Sequence, residues 1–390
     1  MDNPNNAKAL FYSCILYEQE KEKNSTGDAC INKHILFWEK ELVTGEAYLT
    51  LLDDAKKTKF QGWPSSITIE CSTYCNARCT NCTHGELMKT GVRLQKNVDL
   101  REIQYRIRKA KLWTVLFGVT FADIGPAGLG EPLIHPDIIL ILRYMVKFFP
   151  KVGLNTNVSL LKGELAKEMA KTKLDYIYLS LSYFNRETYE KEIGLDYDNT
   201  INNILEFIKI AKAENFSGMI LIHIFNNNLN SEEDIKNFKN MFEPLLREKD
   251  NLEIRKYIEL TDNGAKTRSI KRKMPKPCYQ LWQVMVVDVE GNIYPCCSGL
   301  WKKHDEYLTI GNISDSAVTV IENLKSLRKK QLEGNYGTCL KCDTFWQNIK
   351  FKLPLYCYNK DASIFGNIQY KETMLNSTQL EEIERLILVD

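Results

Sequence analysis

Apolar and polar positions alternate along Ser66-Ile67-Thr68-Ile69-Glu70 with a period of two, the mark of a half-buried strand. Beyond it the period changes back and forth. Helical patterns are expected over Leu100–Leu112, Asp137–Phe148, Lys162–Thr172, Asp198–Ala213 and Ser231–Leu246. Between them, strands are expected over Val115–Asp123, Val152–Asn155, Tyr176–Leu181, Met219–Phe225 and Leu252–Tyr257. Such regular alternation implies a parallel sheet with crossover helices, an α/β fold. Six strands are expected in this run.

The pattern then shifts again. Val284–Val289 and Asn292-Ile293-Tyr294 flank Glu290-Gly291 and read as a β-hairpin with glycine at the turn. A helix is expected from about Val318 to Glu333. Residues 1–60 read as partly helical, over Ile35–Thr44 and Glu46–Lys56, and Ser377–Leu386 reads as a short amphipathic helix. The expected division is an N-terminal extension (1–60), the strand–helix unit (61–262), a small Cys-rich unit (263–360) and a tail (361–390).

Composition changes this picture at one point. The 44% hydrophobic content of the 390-residue chain fits a globular enzyme, and a net charge of +2 points to no nucleic-acid partner. No apolar run is long enough to span a membrane, and Met1-Asp-Asn-Pro-Asn-Asn resembles no export signal, so a cytoplasmic setting is expected. The 12 cysteines are the informative feature, because they cluster at metal-ligand spacings.

Cys75, Cys79 and Cys82 stand at C-x3-C-x2-C just after the first strand. A structural zinc ion normally takes four ligands. A cubane cluster has four irons, so three thiolates leave one iron open to a further ligand. A second set follows the strand–helix unit: Cys278, Gly291 and Cys296 at C-x12-G-x4-C, then Cys339 and Cys342 at C-x2-C. Four thiolates from this set complete the ligation of one [4Fe–4S] cluster, although the same pairs also describe a zinc ribbon.

The three-cysteine loop after a first strand resembles the signature of the radical S-adenosylmethionine (SAM) enzymes. The C-terminal pattern resembles the SPASM domain of that superfamily or its shortened Twitch form, over about residues 66–345 in all. The resemblance implies that the six strands and their helices form an open, partial (β/α)6 barrel, that SAM binds the open iron and that it is cleaved reductively to a 5′-deoxyadenosyl radical. That radical then abstracts a hydrogen atom from substrate. It implies an auxiliary [4Fe–4S] cluster that oxidises the substrate radical, and an electron donor such as flavodoxin or ferredoxin.

Further residues carry over by position. Gly125-Pro-Ala-Gly-Leu-Gly-Glu-Pro132 resembles the Gly-Gly-Glu-Pro element that meets the SAM amino group, so Gly130, Glu131 and Pro132 are expected there, with Leu129 in place of the first glycine. Asn155, Asn157, Ser180 and Ser182 sit at strand ends where the ribose and carboxylate are bound in the family. Asn81 stands where the family usually has an aromatic. Cys297 and Cys357 are substitute ligands for the auxiliary cluster, whereas Cys14, Cys30 and Cys71 read as ordinary thiols. The basic run Arg268–Lys276 reads as a solvated linker, and His223 as a core histidine.

A peptide or peptide-like substrate is favoured. The alternatives are a small sugar- or aminocyclitol-like molecule, dehydrogenated or epimerised, and a non-catalytic zinc protein.

Overall fold

The computed structural model describes residues 64, 66–80, 82–89, 91, 94–117, 121, 123–226, 229–256, 278, 280–301 and 306–342. The expected helices within 1–60 and 361–390, the basic run, Cys14, Cys30, Asn81 and Cys357 lie outside the described residues.

The elements run in the expected alternation. Strand β1 (Ser66–Ile69) is followed by α1 (His84–Lys89), α2 (Leu100–Phe117), β2 (Asp123–Gly125), α3 (Ile138–Phe148) and β3 (Gly153–Thr156). Then come α4 (Gly163–Ala170), β4 (Tyr176–Ser182), α5 (Arg186–Ile193), α6 (Tyr197–Ala213), β5 (Met219–Asn226), α7 (Glu232–Phe242) and β6 (Asn251–Lys256). The C-terminal unit adds α8 (Gln280–Gln283), β7 (Val284–Val287), β8 (Asn292–Tyr294), α9 (Ser298–Trp301), β9 (Gly311–Asn312) and α10 (Ala317–Leu332).

Strands β1 to β6 are all parallel and lie in sequence order, with a single Ile124–Val152 bridge joining β2 to β3. The barrel is open. On the other edge of β1, β7 pairs in parallel, and β8 and β9 continue antiparallel from it. The cysteine-rich unit is thus built onto the barrel's first strand and continues its sheet.

Register divides the sheet into two faces. Ile67, Ile124, Leu154, Ile177, Leu179, Ile220 and Ile222 share the face under the helices, and each is at most 1% exposed. The opposite, concave face carries Asp123, Asn155, Tyr178, Ser180, His223 and Glu253. A parallel sheet packed on both faces would be apolar on both. The polar concave face is therefore a lining, and helix burial against the convex face supplies the core.

The structure corrects one expectation outright. Where a strand is expected over Val115–Asp123, α2 instead continues to Phe117 and β2 spans Asp123–Gly125. The stripe Ile103, Ile107, Ala110 and Trp113, all buried, carries the helix forward, and packing outweighs the β-propensity of Val115. The other expected elements agree within a few residues, apart from the last turn of the Ser231–Leu246 helix, which becomes a 3-10 turn, Glu243–Leu245, starting one residue before Pro244. Among the described residues, no helix is long and apolar enough to cross a membrane.

Candidate functional site

The cysteine loop leaves the C-terminal end of β1 and is closed at its base. The Thr73 hydroxyl donates to Leu94 O at 2.6 Å and accepts the Lys96 N–H at 2.8 Å, while His84 Nε2 lies 2.6 Å from Thr73 O. Within the loop, the Cys82 N–H donates to Cys79 O at 3.1 Å and the His84 N–H meets Cys82 Sγ at 3.5 Å.

Its outer side is held by α5, an element the sequence reading missed. The Arg78 N–H donates to Ile193 O at 2.8 Å and the Thr80 N–H to Glu192 O at 2.9 Å. The Thr80 hydroxyl also bonds the Glu192 carboxylate. The carbonyls at a helix C-terminus lack intrahelical partners, and here the cysteine loop supplies them. A visible signal existed: Asn185 caps the first turn through Thr188 N, and Gly194 ends the helix at φ 73°.

A second set of contacts joins this loop to the ends of β2 and β3. The Glu131 N–H donates to Tyr74 O at 2.8 Å. The buried Glu131 carboxylate accepts the Thr156 hydroxyl at 2.6 Å, the Asn157 N–H at 2.7 Å and the Leu133 N–H at 3.1 Å. Burial pushes this carboxyl's pKa up, and those three bonds oppose the rise. Asn76, Asn157 and Ser159 close a ring of side chains. Asn157 Nδ2 donates to Asn76 Oδ1 at 2.9 Å, Asn76 Nδ2 to Ser159 Oγ at 2.8 Å, and Ser159 Oγ to Asn157 Oδ1 at 2.7 Å. Asn76 was not expected as a site residue, because its partners are remote in sequence.

The remaining expected residues are placed less closely. Asn155 and Ser180 lie on the concave face, with Asn155 exposed. Ser182 follows a register shift in β4 and takes a left-handed φ of 66°, an uncommon conformation for serine. It is buried, and its carbonyl accepts Asn230 Nδ2 at 3.0 Å. Gly130 lies against the strand-end backbone: a Cβ there would stand 2.2 Å from Ser72 O. His223 is buried with its ring 4.9 Å from that of Tyr178 and 5.5 Å from that of Phe225.

The thiols show what this pocket is suited to hold. Burial, then the charges of Glu131 and Cys82, push Cys75 up to about 11 against one opposing backbone hydrogen bond. Burial, then Cys82 and Cys75, push Cys79 up to about 12. Thiols gathered among like charges stay protonated unless a cation joins them, and a bound metal centre deprotonates them. Cys71, by contrast, is fully buried and donates to Pro126 O at 3.6 Å.

The second set converges at the other end of the sheet. The half-buried Cys296 thiol is pushed well up, first by burial and then by Cys278, Cys297, Cys339 and Cys342. Buried Gln331 bridges two members: its Oε1 accepts the Cys278 N–H at 2.8 Å and its Nε2 donates to Cys339 Sγ at 3.2 Å. Ser298 Oγ lies 3.5 Å from Cys342 Sγ. Among the described residues, no three Cys, His, Asp or Glu side chains come close enough to share one metal ion. Thiolates that each bind a different iron of a cluster need not do so.

Residues 69–239 match the model of the radical SAM superfamily, and residues 278–343 match that of the SPASM iron–sulfur cluster-binding domain. The chain belongs to the radical SAM superfamily. Its cofactors are SAM and [4Fe–4S] clusters.

An uncharacterised protein of Methanocaldococcus jannaschii is 35% identical over 114 residues, 28% of this chain and 39% of that protein. The tungsten-containing aldehyde ferredoxin oxidoreductase cofactor-modifying protein of Pyrococcus furiosus is 26% identical over 113 residues, 29% of each chain. Both matches therefore span well under half of the curated relatives. Among solved structures, Streptococcus suis SuiB bound to precursor peptide SuiA is 16% identical, covering 83% of this chain and 77% of SuiB, with a TM-score of 0.47. BtrN in complex with AdoMet and 2-DOIA is 15% identical, covering 73% and 92%, with a TM-score of 0.43.

Proposed function

We propose that this radical SAM protein is an oxidoreductase that abstracts a hydrogen atom from a peptide or peptide-like substrate. Cys75, Cys79 and Cys82 hold the radical-generating cluster. Gly130, Glu131, Pro132, Asn155, Asn157, Ser180 and Ser182 hold SAM. Cys278, Cys296, Cys339 and Cys342 hold the auxiliary cluster. The observation that carries this reading is the direct bonding of the cysteine loop to the ends of β2 and β3, through Glu131 N to Tyr74 O and Asn157 to Asn76. A ligand on the loop's open side meets all three segments at once.

Cys75, Cys79 and Cys82 would hold a cluster that supplies one-electron reducing power to SAM, and Cys278, Cys296, Cys339 and Cys342 would hold one that serves as an electron acceptor. The chain's own residues orient and shield. Gly130 lets its loop lie on the backbone of residues 72–74. Glu131 fixes the backbone of Asn157 and the Thr156 hydroxyl, which sets the floor of the pocket. Beneath it, the concave wall offers Tyr178, bonded to Glu253, with His223 alongside. This wall presents both donors and acceptors, which suits the amides and polar side chains of a peptide.

The test is deuterium transfer from labelled candidate peptides into 5′-deoxyadenosine under reducing, anaerobic conditions. Transfer from a peptide, with a product two hydrogens lighter, supports the reading. Transfer only from a small polyol would move the substrate to the other class.

A further inference from the structure

One carboxylate close to the cysteine loop belongs to neither cysteine set. Glu70 follows β1 and is fully buried. Its Oε1 accepts the Leu129 N–H at 2.7 Å, and its Oε2 accepts the Val289 N–H at 3.1 Å. Leu129 directly precedes the Gly130–Pro132 turn. Val289 lies in the turn of the β7–β8 hairpin, which carries the chain from Cys278 toward Cys296. The Glu70 N–H also donates to Val287 O at 2.8 Å. One side chain therefore touches both the turn assigned to SAM and the hairpin of the auxiliary unit.

The surroundings are shaped to this contact. A Cβ on Gly128 would lie 2.3 Å from Glu70 Cγ, so the loop reaches the carboxylate only with glycine there. From the other side, buried Arg106 donates to Asp288 O at 2.7 Å and to Val289 O at 3.1 Å. It holds the hairpin turn that presents the Val289 N–H. A buried carboxylate needs its acceptor positions filled. Each loop supplies one donor, so a shift of either loop weakens the hold on the other.

We propose that Glu70 is a positioning residue that couples the two cluster-bearing units. Order in the auxiliary hairpin strengthens SAM binding at the Gly130–Pro132 turn, and SAM binding in return steadies the hairpin. The coupling rests on the site assignment made under the proposed function.

The test compares four reconstituted proteins: wild type, C339A/C342A, E70Q, and the combined variant. Iron content establishes which clusters each one carries. The readouts are the SAM dissociation constant and the change in the reduced radical cluster's EPR spectrum on adding SAM. Glutamine keeps the shape of Glu70, but its amide NH2 opposes one of the two N–H donors. In the wild-type background, C339A/C342A is expected to weaken SAM binding about tenfold. E70Q is expected to weaken it by a similar factor and to reduce the further effect of C339A/C342A to under about twofold. G128A, which presses on Glu70 without changing its charge, is expected to behave as E70Q does, and it carries the test should E70Q fail to load its clusters. An equal auxiliary effect in both backgrounds, or unchanged SAM affinity in E70Q and G128A, overturns the coupling alone. A wild-type spectrum that does not respond to SAM overturns the site assignment and the coupling with it.

Discussion

Gly130→Ala is the smallest change that separates the SAM pocket from the clusters. The added Cβ would stand 2.2 Å from Ser72 O and 2.8 Å from Tyr74 O. Both obstacles are backbone, on the strand end that leads into the cysteine loop, so no side chain can turn aside. Restoring ordinary contact needs a shift of about 1 Å. A shift of that size breaks the 2.8 Å Glu131 N–Tyr74 O bond and tilts the Glu131 carboxylate away from Asn157. Overpacking of this kind costs about 1–3 kcal/mol of stability, which a domain of this size tolerates. The effect on turnover is larger, about a hundredfold for a 1 Å misplacement. The assay is SAM cleavage to 5′-deoxyadenosine by the reduced enzyme, alongside SAM binding and iron content. Iron is expected to stay at the wild-type level while SAM binding weakens and cleavage falls. Gly85→Ala is the control, because nothing lies within 4 Å of its Cβ. In helix α1 that change is expected to stabilise by about 0.5–1 kcal/mol and to leave SAM binding alone. Wild-type SAM affinity in Gly130→Ala would refute the placement of SAM against this turn.

Three further outcomes are expected. The iron-free chain loses stability as pH rises from about 9 through about 12: Cys75 and Cys79 are pushed up by burial, to about 11 and about 12, so their contribution is complete below the ordinary thiol range and disappears as they ionise; thermal melts across that range check this, and a flat profile contradicts it. Arg247→Ala strips the fully buried Asp250 carboxylate of its bonds at 2.7 and 2.8 Å, and is expected to cost about 3 kcal/mol in denaturant titration; a loss under about 1 kcal/mol contradicts that account. Tyr178→Phe removes the hydroxyl that Glu253 accepts on the concave wall, so substrate KM is expected to rise about tenfold while substrate-free SAM cleavage is unchanged; the reverse split would place Tyr178 in the SAM pocket instead.

Much of this architecture is legible in the chain because its signals are local. The alternation in residues 66–69 and the helical stripes after it need only their own periods. Cysteine spacing likewise carries its chemistry in a few residues. The parts that escape are those whose partners are distant. Nothing near Glu70 in sequence tells that it will be buried between two loops, since a carboxylate at a strand end reads as solvated. Asn76 gains its role from Asn157 and Ser159, and Thr156, not Asn155, meets Glu131. Helix α5 is short and polar, Arg-Glu-Thr-Tyr-Glu-Lys-Glu-Ile, so its hydrophobic signal is weak and its caps alone mark it. The strand expected over Val115–Asp123 differs for the opposite reason: Val115 carries a local β-preference that the buried face of α2 overrides.

The central claim is that two separate cysteine sets hold two [4Fe–4S] clusters, the first of them open to SAM. Iron and sulfide content after anaerobic reconstitution, in wild type and in a Cys75/Cys79/Cys82→Ala variant, tests it most directly. About eight irons per chain falling to about four is the predicted result. Zinc with little iron in the wild type, or an iron content that the triple variant leaves unchanged, would contradict it.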